Sequence, residues 1–232
     1  MADSVAGTAD PESGVLRVLT SKAETRAFYD KIARIYDVMS ESTEGPLKQQ
    51  GLEKLAARPG EKVLEIGFGT GHCVAALARA VGPSGRVYGI DLSDRMAELA
   101  RESLEDQKLA GSVELFVGDA LKLPLSDGVL DGVFSSFTLE LFDNTEIPLV
   151  LAECRRVLKP GGRLAIVSVS KEGKESLLVE AYEWTHKHFP NLMDCRPIFA
   201  RRAIEAAGFE VRESNIGHMW VPVEIILASK PQ

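Results

Sequence analysis

The sequence predicts an α/β protein built on a doubly wound, mostly parallel sheet. Short apolar runs alternate with helical stretches between residues 62 and 169, as they do where helices connect parallel strands. A glycine-rich turn joins the first apolar run to the helix after it. Two further strand-like runs, residues 209–216 and 218–230, are separated only by Gly217, and so short a connection requires antiparallel strands. The predicted sheet therefore closes on an antiparallel hairpin.

The composition is that of an ordinary globular protein. The 232 residues are 45% hydrophobic and 26% charged, which suits one domain with a sizeable core. The formal net charge of −7 argues against a nucleic-acid partner, because phosphate binding needs a concentrated basic face. The sequence has no leader-like segment and no apolar run of membrane-spanning length, so we expect a cytoplasmic protein without an integral membrane segment.

The three cysteines predict neither a disulfide framework nor a metal site. Cys73, Cys154 and Cys195 lie far apart, form no CxxC pair and are odd in number. A thiolate site for a metalloid is the alternative, but Cys73 and Cys154 both fall in predicted helices. We interpret these two as buried structural residues and expect no metal.

The N-terminal region precedes the alternating pattern. Residues 1–22 are small, polar and broken by proline and glycine, which predicts a flexible tail ahead of one domain over residues 23–232. Apolar residues at helical spacing predict an amphipathic helix from Glu24 to Met39, and a second helical stretch runs from Gly51 to Ala57. A Pro-Gly turn follows and leads into the first strand.

The alternating pattern then gives the order of the elements. The predicted strands cover residues 62–66, 86–90, 112–118, 130–136 and 162–169. The predicted helices cover residues 72–80, 94–108, 147–158 and 197–207. Because the strands are short and rich in Val, Ile and Leu, we expect helices on both faces of the sheet.

The turn after the first strand, EIGFGTG, is the first candidate ligand site. Glycines there let the backbone approach a ligand, and the N-terminus of the next helix favours an anionic group. A dinucleotide fingerprint needs its third glycine at position 72, where this chain has His72. The spacing and the preceding Glu65 suit a compact zwitterionic ligand better than a pyrophosphate. A turn that only connects strand to helix is the alternative.

Acidic residues close the next two strands at the same edge of the sheet. Asp91 ends the second strand, where a carboxylate can accept hydrogen bonds from both hydroxyls of a ribose. Asp119 ends the third strand and can accept a hydrogen bond from an adenine amino group, with Ala120 leaving room for the ring. Leu92 and Met96 can form apolar walls around that ring, although core packing explains them nearly as well.

Four strings follow one another along the chain: VLEIGFGTG, VYGIDLS, GDALKLPLSDGVLDGVFSSF and RRVLKPGGRLAIV. In this order and spacing they resemble the motifs of class I S-adenosylmethionine-dependent methyltransferases. The resemblance covers about residues 25–229 and implies a Rossmann-like, seven-stranded sheet with S-adenosylmethionine as the cofactor. It implies that Asp91 binds the ribose and that Asp119 and Ala120 bind the adenine. It also implies contacts to the methionine part from Gly67, Gly69, Thr70, Gly71 and either Ser135 or Ser136.

Within that family the chain is similar to the methyltransferases of quinone biosynthesis. The similarity rests on FYDKIARIYD, with its two Tyr-Asp pairs, and on LPLSDGVLDGVFSSFTL. Quinone C-methylating enzymes usually carry Arg-Asn after the fourth strand, where this chain has Glu140 and Leu141, so no quinone is assigned as the acceptor. The predicted function is methyl transfer to a small, partly apolar molecule. A NAD-dependent oxidoreductase and a non-catalytic S-adenosylmethionine-binding protein are the alternatives.

Two segments are expected to form the acceptor site. The N-terminal helical region, about residues 23–57, is predicted to cover the cofactor as a lid, because Tyr29 and Tyr36 lie seven residues apart and share one helical face. An insertion at about residues 171–196 carries aromatic and histidine side chains, among them Trp184. We expect Tyr29, Tyr36 and Trp184 to bind the acceptor.

A general base is needed only if the acceptor must lose a proton, since methyl transfer depends chiefly on alignment and water exclusion. The candidates are Glu140, His186 and His188. Glu140 is also expected to attract a cationic amine or to orient a phenol. A hydrophobic cap with both histidines exposed is the alternative interpretation of the insertion.

Overall fold

The computed structural model describes residues 15–18, 20–172 and 196–232, without the side chains of residues 32–42. The strands are β1 Lys62–Ile66, β2 Arg86–Asp91, β3 Val113–Val117, β4 Leu130–Ser136, β5 Leu158–Val169, β6 Glu210–His218 and β7 Pro222–Ser229. In these parts of the chain they form one sheet in the order β3-β2-β1-β4-β5-β7-β6. Neighbouring strands are parallel except in the two pairs that involve β7. The mostly parallel sheet with an antiparallel C-terminal hairpin is confirmed.

Helices cover both faces of this sheet, as expected. They are α1 Lys22–Leu55, α2 His72–Val81, α3 Asp94–Asp106, α4 Ile147–Val157 and α5 Ala200–Ala206. Buried side chains of α1, α2 and α3 share one hydrophobic cluster, and those of α4 and α5 belong to a second cluster across the sheet. Burial on both faces explains why the central strands consist of nearly continuous apolar residues. Within the described ranges, no helix combines the length and apolar character that crossing a bilayer requires.

Helix α1 is one continuous element, whereas the sequence predicts two separate helical stretches. It begins with a capping box in which Ser21 and Glu24 each accept the other's backbone N–H. It ends at Ala56, whose left-handed backbone closes the last turn. The C-terminal part of α1 lies directly on the sheet, where a Cβ at Gly51 would stand 2.5 Å from Cγ2 of Val167. This close packing explains how the helix continues through a polar stretch without apolar periodicity.

Part of the predicted N-terminal tail is packed on the domain, which corrects the boundary placed at residue 22. Residues 1–14 lie outside the described part of the chain. Val15 is buried in the hydrophobic core, and Nδ2 of Asn144 donates to its carbonyl oxygen at 3.3 Å. Nε of Arg17 donates to the two carboxylate oxygens of Asp143 at 2.7 and 3.0 Å. These contacts fasten the chain before α1 to the loop after β4.

The C-terminal hairpin turns later than the sequence predicts. The ladder between β6 and β7 continues to the pair His218 and Pro222, so residues 219–221 make the turn. Gly217, the expected turn residue, lies inside the ladder. A Cβ there would stand 2.6 Å from Cδ2 of Leu47 on α1. Gly217 is therefore needed for the close approach of the helix rather than for chain reversal.

Candidate functional site

A cavity of about 500 Å³ lies at the carboxyl ends of β1, β2, β3 and β4, and the first turns of α1 form part of its wall. This volume is typical of a small-molecule site. Neighbouring strands lie about 4.8 Å apart, so the loops that follow them line up in the order of the strands. Asp119 after β3 therefore stands at one end of the cavity, and Ser136 at the end of β4 stands at the other. The later part of the loop after β4 returns toward Asp119, because Lys22 contacts both Asp119 and Glu146.

The glycine loop between β1 and α2 lines the middle of the cavity. Gly67 has a φ of +74° and no room for a side chain, because a Cβ would stand 2.1 Å from Oγ1 of Thr138. Gly69 also has a positive φ, +52°, but the space beside its Cα is open. Gly69 and Thr70 line the cavity, and Gly71 is the N-cap of α2. The loop thus exposes backbone where a ligand can approach closely.

Two groups of opposite charge lie beside this loop: the carboxylate of Glu65 and the N-terminus of α2, which carries a partial positive charge. Glu65 is 2% exposed and lines the cavity, and no described residue forms a hydrogen bond with its Oε2. Burial raises the pKa of Glu65, an effect that the charge of Lys48 opposes and that of Asp91 reinforces. No side-chain hydrogen bond caps the N-terminus of α2 at Gly71, where backbone amides and the helix dipole favour an anion. A buried carboxylate next to such a helix end suits a zwitterion.

Asp91 closes β2 beside the glycine loop. Its two carboxylate oxygens accept the backbone N–H groups of Gly69 and Ser93, each at 2.9 Å, and the residue lines the cavity. Burial raises the pKa of Asp91, although these hydrogen bonds oppose the shift. Each carboxylate oxygen accepts more than one hydrogen bond, so Asp91 retains the capacity to accept two ribose hydroxyls. Leu92 and Met96 line the same cavity.

Asp119 stands at the β3 end of the cavity, where Lys22 from the first turn of α1 joins it. Nζ of Lys22 forms an ion pair with the Asp119 carboxylate and lies 2.8 Å from Oε1 of Glu146. Burial alone would lower the pKa of Lys22, but the two carboxylates outweigh burial and raise it. The ring centroid of Phe142 lies 5.9 Å from the same ammonium. Ala120 lines this end as well, so an aromatic ring, a small residue and a carboxylate frame it.

The first turns of α1 are held over the cavity by contacts to α3. Tyr29 lines the cavity. One turn earlier, Arg26 forms an ion pair with Asp94 at the start of α3. Asp30 accepts a hydrogen bond from the serine hydroxyl that caps α3. Tyr36 lies further along α1, and its side chain is outside the described part of the chain.

The residues after β4 line the opposite end of the cavity. Ser136, Phe137 and Thr138 contribute to this wall. Ser135 does not contribute, because its buried Oγ donates to the carbonyl of Ile66 at 3.1 Å and thereby ties β4 to β1. Successive side chains of a strand point to opposite faces, which explains why the two serines differ. Ser136 thus lines the cavity, whereas Ser135 does not.

Glu140 lies behind this wall, which corrects its expected place beside the acceptor. It is fully buried and is not among the described residues that line the cavity. Its Oε1 accepts the backbone N–H of Val169 at 3.0 Å, and its Oε2 has no hydrogen-bond partner within the described part of the chain. Burial raises the pKa of Glu140 to about 8, although that hydrogen bond opposes the shift. The side chain therefore holds the end of β5 instead of reaching into the cavity.

Sequence reasoning missed four charged residues of this region: Lys22, Glu44, Lys48 and Arg196. The first three line the cavity from α1 but belong to no motif, and the only signal is the helical i,i+4 spacing of Glu44 and Lys48. Arg196 is buried, and its Nη1 donates to Oδ1 of Asn144 in the loop after β4 at 2.8 Å. Burial lowers the pKa of Arg196 to about 10. Long-range partners therefore define Lys22 and Arg196, whereas Glu44 and Lys48 pair with each other within α1.

Several sequence candidates fall outside the described part of the chain. They are His186, His188 and Trp184, together with most of the predicted insertion and Cys195. Cys73 and Cys154 are buried, and burial raises the pKa of the Cys154 thiol to about 12. Among the residues that are described, no group of three or more histidine, cysteine or acidic side chains is arranged to hold a metal ion.

Comparison with known sequences identifies a family model and relatives that match this chain. Residues 63–162 match a family model described as a methyltransferase domain. Over 167 residues the chain is 37% identical to the ubiquinone/menaquinone biosynthesis C-methyltransferase UbiE of Teredinibacter turnerae, covering 70% of this chain and 66% of that protein. The aligned part spans 60–66% of the length of this and the next two curated relatives.

Two solved structures share the fold. A SAM-dependent methyltransferase from Aquifex aeolicus is 25% identical with a TM-score of 0.59, covering 78% of this chain and 88% of that one. The [4+2]-cyclase SpnF is 18% identical with a TM-score of 0.70, covering 91% of this chain and 97% of that one. The likeness to the cyclase concerns the fold alone, and a fold does not decide the reaction.

Proposed function

This chain belongs to the class I S-adenosylmethionine-dependent methyltransferases, and on that premise we propose that it methylates a small, partly apolar acceptor. The bound cofactor supplies an electrophilic methyl group on a sulfonium. The residues of the protein then bind both reactants, align them and exclude water. One observation carries the proposal: the unpartnered Glu65 carboxylate and the N-terminus of α2 meet in the same cavity as Asp91 and Asp119.

The methionine part of the cofactor carries an ammonium and a carboxylate, and the centre of the cavity offers a counterpart for each. The carboxylate of Glu65, which lines the cavity, attracts the ammonium, and this pairing compensates a charge that is otherwise costly to bury. The N-terminus of α2 and the backbone of Gly69 and Thr70 receive the carboxylate. Ser136 adds a hydroxyl on the side of β4.

The adenosine part extends toward β3. Asp91 accepts hydrogen bonds from the two ribose hydroxyls, as its place beside Gly69 allows. Asp119 accepts a hydrogen bond from the adenine amino group while it keeps its ion pair with Lys22. The side chains of Leu92 and Met96 flank the ring. The order of the strands supports this direction, since β1, β2 and β3 follow one another across the sheet.

The acceptor side of the proposal combines the lid with the insertion. The first turns of α1 form the lid, and residues 171–196 border the acceptor, with contacts from Tyr29, Tyr36 and Trp184. His186 and His188 remain candidates for a base. A net charge of −7 supports a small acceptor over nucleic acid, and we place the reaction in the cytoplasm. The name of the UbiE relative makes a quinone precursor one acceptor to test.

The alternatives are less well supported. A nicotinamide oxidoreductase needs a glycine where His72 begins α2, and the family model and the relatives are methyltransferases. A non-catalytic S-adenosylmethionine-binding protein has the same cofactor contacts, so only turnover separates it from an enzyme.

A two-part experiment tests the proposal. Calorimetry compares the affinities of the full chain for S-adenosylhomocysteine and for NADH, and we expect only the first to bind tightly. A screen with methyl-labelled S-adenosylmethionine then offers reduced demethylquinones, phenols, amines and phospholipid amines as acceptors. Tight NADH binding contradicts the cofactor assignment, and S-adenosylhomocysteine binding without transfer to any acceptor supports the non-catalytic alternative.

A further inference from the structure

Three charged side chains meet at the β3 end of the cavity, where the proposed function places the adenine of the cofactor. They are Lys22 from the first turn of α1, Asp119 after β3 and Glu146 at the N-cap of α4. All three residues line the cavity. Their side chains are 36%, 33% and 26% exposed, respectively, so a ligand in the cavity can touch each of them.

The carboxylate of Asp119 can accept a further hydrogen bond. Its Oδ1 accepts the backbone N–H of Leu121 at 3.0 Å, and its Oδ2 accepts an N–H of Lys22. A carboxylate offers about four acceptor sites over its two oxygens, so these two bonds leave about half of them. The amino group of an adenine can therefore bind Asp119 without displacing the ammonium of Lys22.

The ammonium of Lys22 also has capacity for a ligand. An ammonium carries three N–H donors, and the carboxylates of Asp119 and Glu146 accept two of them. Within the described ranges its other contact is with the ring of Phe142, a cation–π contact with the centroid 5.9 Å from Nζ. Although burial lowers the pKa of Lys22, the two carboxylates raise it above its usual value, so all the donors are present at neutral pH.

An acceptor and a donor thus stand side by side, and this pattern matches an edge of adenine. The exocyclic amino group of adenine donates, and the ring nitrogens on either side of it, N1 and N7, accept. Asn and Gln side chains read adenine in DNA in the same way, with an oxygen for the amino group and an N–H for the ring nitrogen. Here Oδ2 of Asp119 and Nζ of Lys22 are one hydrogen bond apart and offer the same combination.

We propose that Lys22 is a specificity-determining residue for the cofactor: its ammonium donates a hydrogen bond to a ring nitrogen of the adenine, next to the amino group that binds Asp119. The inference rests on the proposed function, which assigns the adenine to Asp119. Glu146 holds the ammonium from the side of the loop after β4. The first turn of α1 then recognises the base directly, in addition to covering it.

Analogues of S-adenosylhomocysteine that lack one ring nitrogen test this contact without turnover. The 1-deaza and 7-deaza analogues each replace a nitrogen beside the amino group by C–H, whereas the 3-deaza analogue replaces a nitrogen remote from it. In calorimetry on the full chain, at least one of the first two should bind about fivefold or more weakly than S-adenosylhomocysteine, because the ammonium loses its acceptor. The 3-deaza analogue is the matched control, and its relative affinity should not depend on Lys22.

The variant Lys22→Met assigns the loss to this side chain. For one of the 1-deaza and 7-deaza analogues, the loss seen with the wild type should shrink to within about twofold in Lys22→Met, because the ligand atom and the side chain are then no longer coupled. A purely structural role of Lys22 would weaken all the analogues alike and leave the ratios unchanged. Lys31→Met, at an exposed position of the same helix, should keep the ratios of the wild type.

Two results would refute the inference. The first is equal affinity of the wild type for S-adenosylhomocysteine and for both the 1-deaza and 7-deaza analogues, which needs no variant. The second is a loss that is the same in the wild type and in Lys22→Met for both analogues, because another group then binds those nitrogens. Absence of S-adenosylhomocysteine binding in the wild type would instead overturn the proposed function.

Discussion

Lys22, in the first turn of α1, forms an ion pair with Asp119 after β3, so the start of α1 and the proposed adenine end share one contact. The same ammonium lies 2.8 Å from Oε1 of Glu146 in the loop after β4. One side chain thereby joins three separate elements around the cavity. The position of the first turn of α1 is consequently coupled to the loops after β3 and β4.

Replacing Lys22 by methionine should loosen the lid. The substitution keeps most of the aliphatic stem but removes the charge that binds Asp119 and Glu146, so hydrogen exchange over residues 22–31 should accelerate. Because Lys22 is partly exposed, affinity for S-adenosylhomocysteine should weaken only severalfold. Lys31→Met, an exposed position on the same helix, serves as the control. Equal exchange in wild type and Lys22→Met would count against a coupled lid.

Replacing Asp91 by alanine should impair cofactor binding strongly. Two charge-assisted hydrogen bonds to the ribose are lost, and Gly69 loses the acceptor of its N–H, so binding of S-adenosylhomocysteine should weaken by about 2 to 4 kcal/mol. Calorimetry measures this change, and Asp106→Ala, exposed at the end of α3, is the control. Unchanged affinity in a folded Asp91→Ala protein would remove this residue from the site.

The glycine loop permits a test that separates strain from ligand contact. Gly69 and Gly128 both have positive φ with open space beside Cα, so alanine at either should cost about 1 kcal/mol of unfolding free energy. Only Gly69 lines the cavity, and we expect only Gly69→Ala to weaken S-adenosylhomocysteine binding, by tenfold or more. Urea unfolding and calorimetry give the two quantities. Equal losses of affinity in both variants would mean that the effect is indirect.

Glu140 should make the stability of the protein depend on pH. Its pKa is about 8 in the folded state and near 4.5 when unfolded, so the native state holds a proton that the unfolded state releases. The stability linked to this proton is complete below about pH 4.5 and is lost as the pH rises to about 8, by at most about 1.4 kcal/mol per pH unit. Relative to Glu140→Gln, the wild type should therefore become less stable over this window. A difference in unfolding free energy that stays constant with pH would contradict the burial of an ionisable group.

The sequence predicts those parts of the molecule that depend on local pattern. Short windows of the sequence are enough to identify the alternating apolar runs, the glycine loop, Asp91 at the end of β2 and Asp119 after β3. Glu140 is different, because its burial depends on the amide of Val169, which is distant in sequence. Lys22 and Glu44 lie in polar stretches of the sequence. Their place beside the cavity depends on how α1 packs on the rest of the domain. Residues whose place depends on long-range packing therefore cannot be identified from local sequence patterns.

Helix α1 has 34 residues, and Lys22 from its first turn and Lys48 from its later turns line the same cavity. Because one helix borders several parts of the cavity, its seating over the proposed adenosine site also affects the part of the cavity that is left for the acceptor. The two reactants should then add in a compulsory order, cofactor first. Steady-state kinetics would show this as inhibition by S-adenosylhomocysteine that is competitive with the methyl donor and noncompetitive with the acceptor.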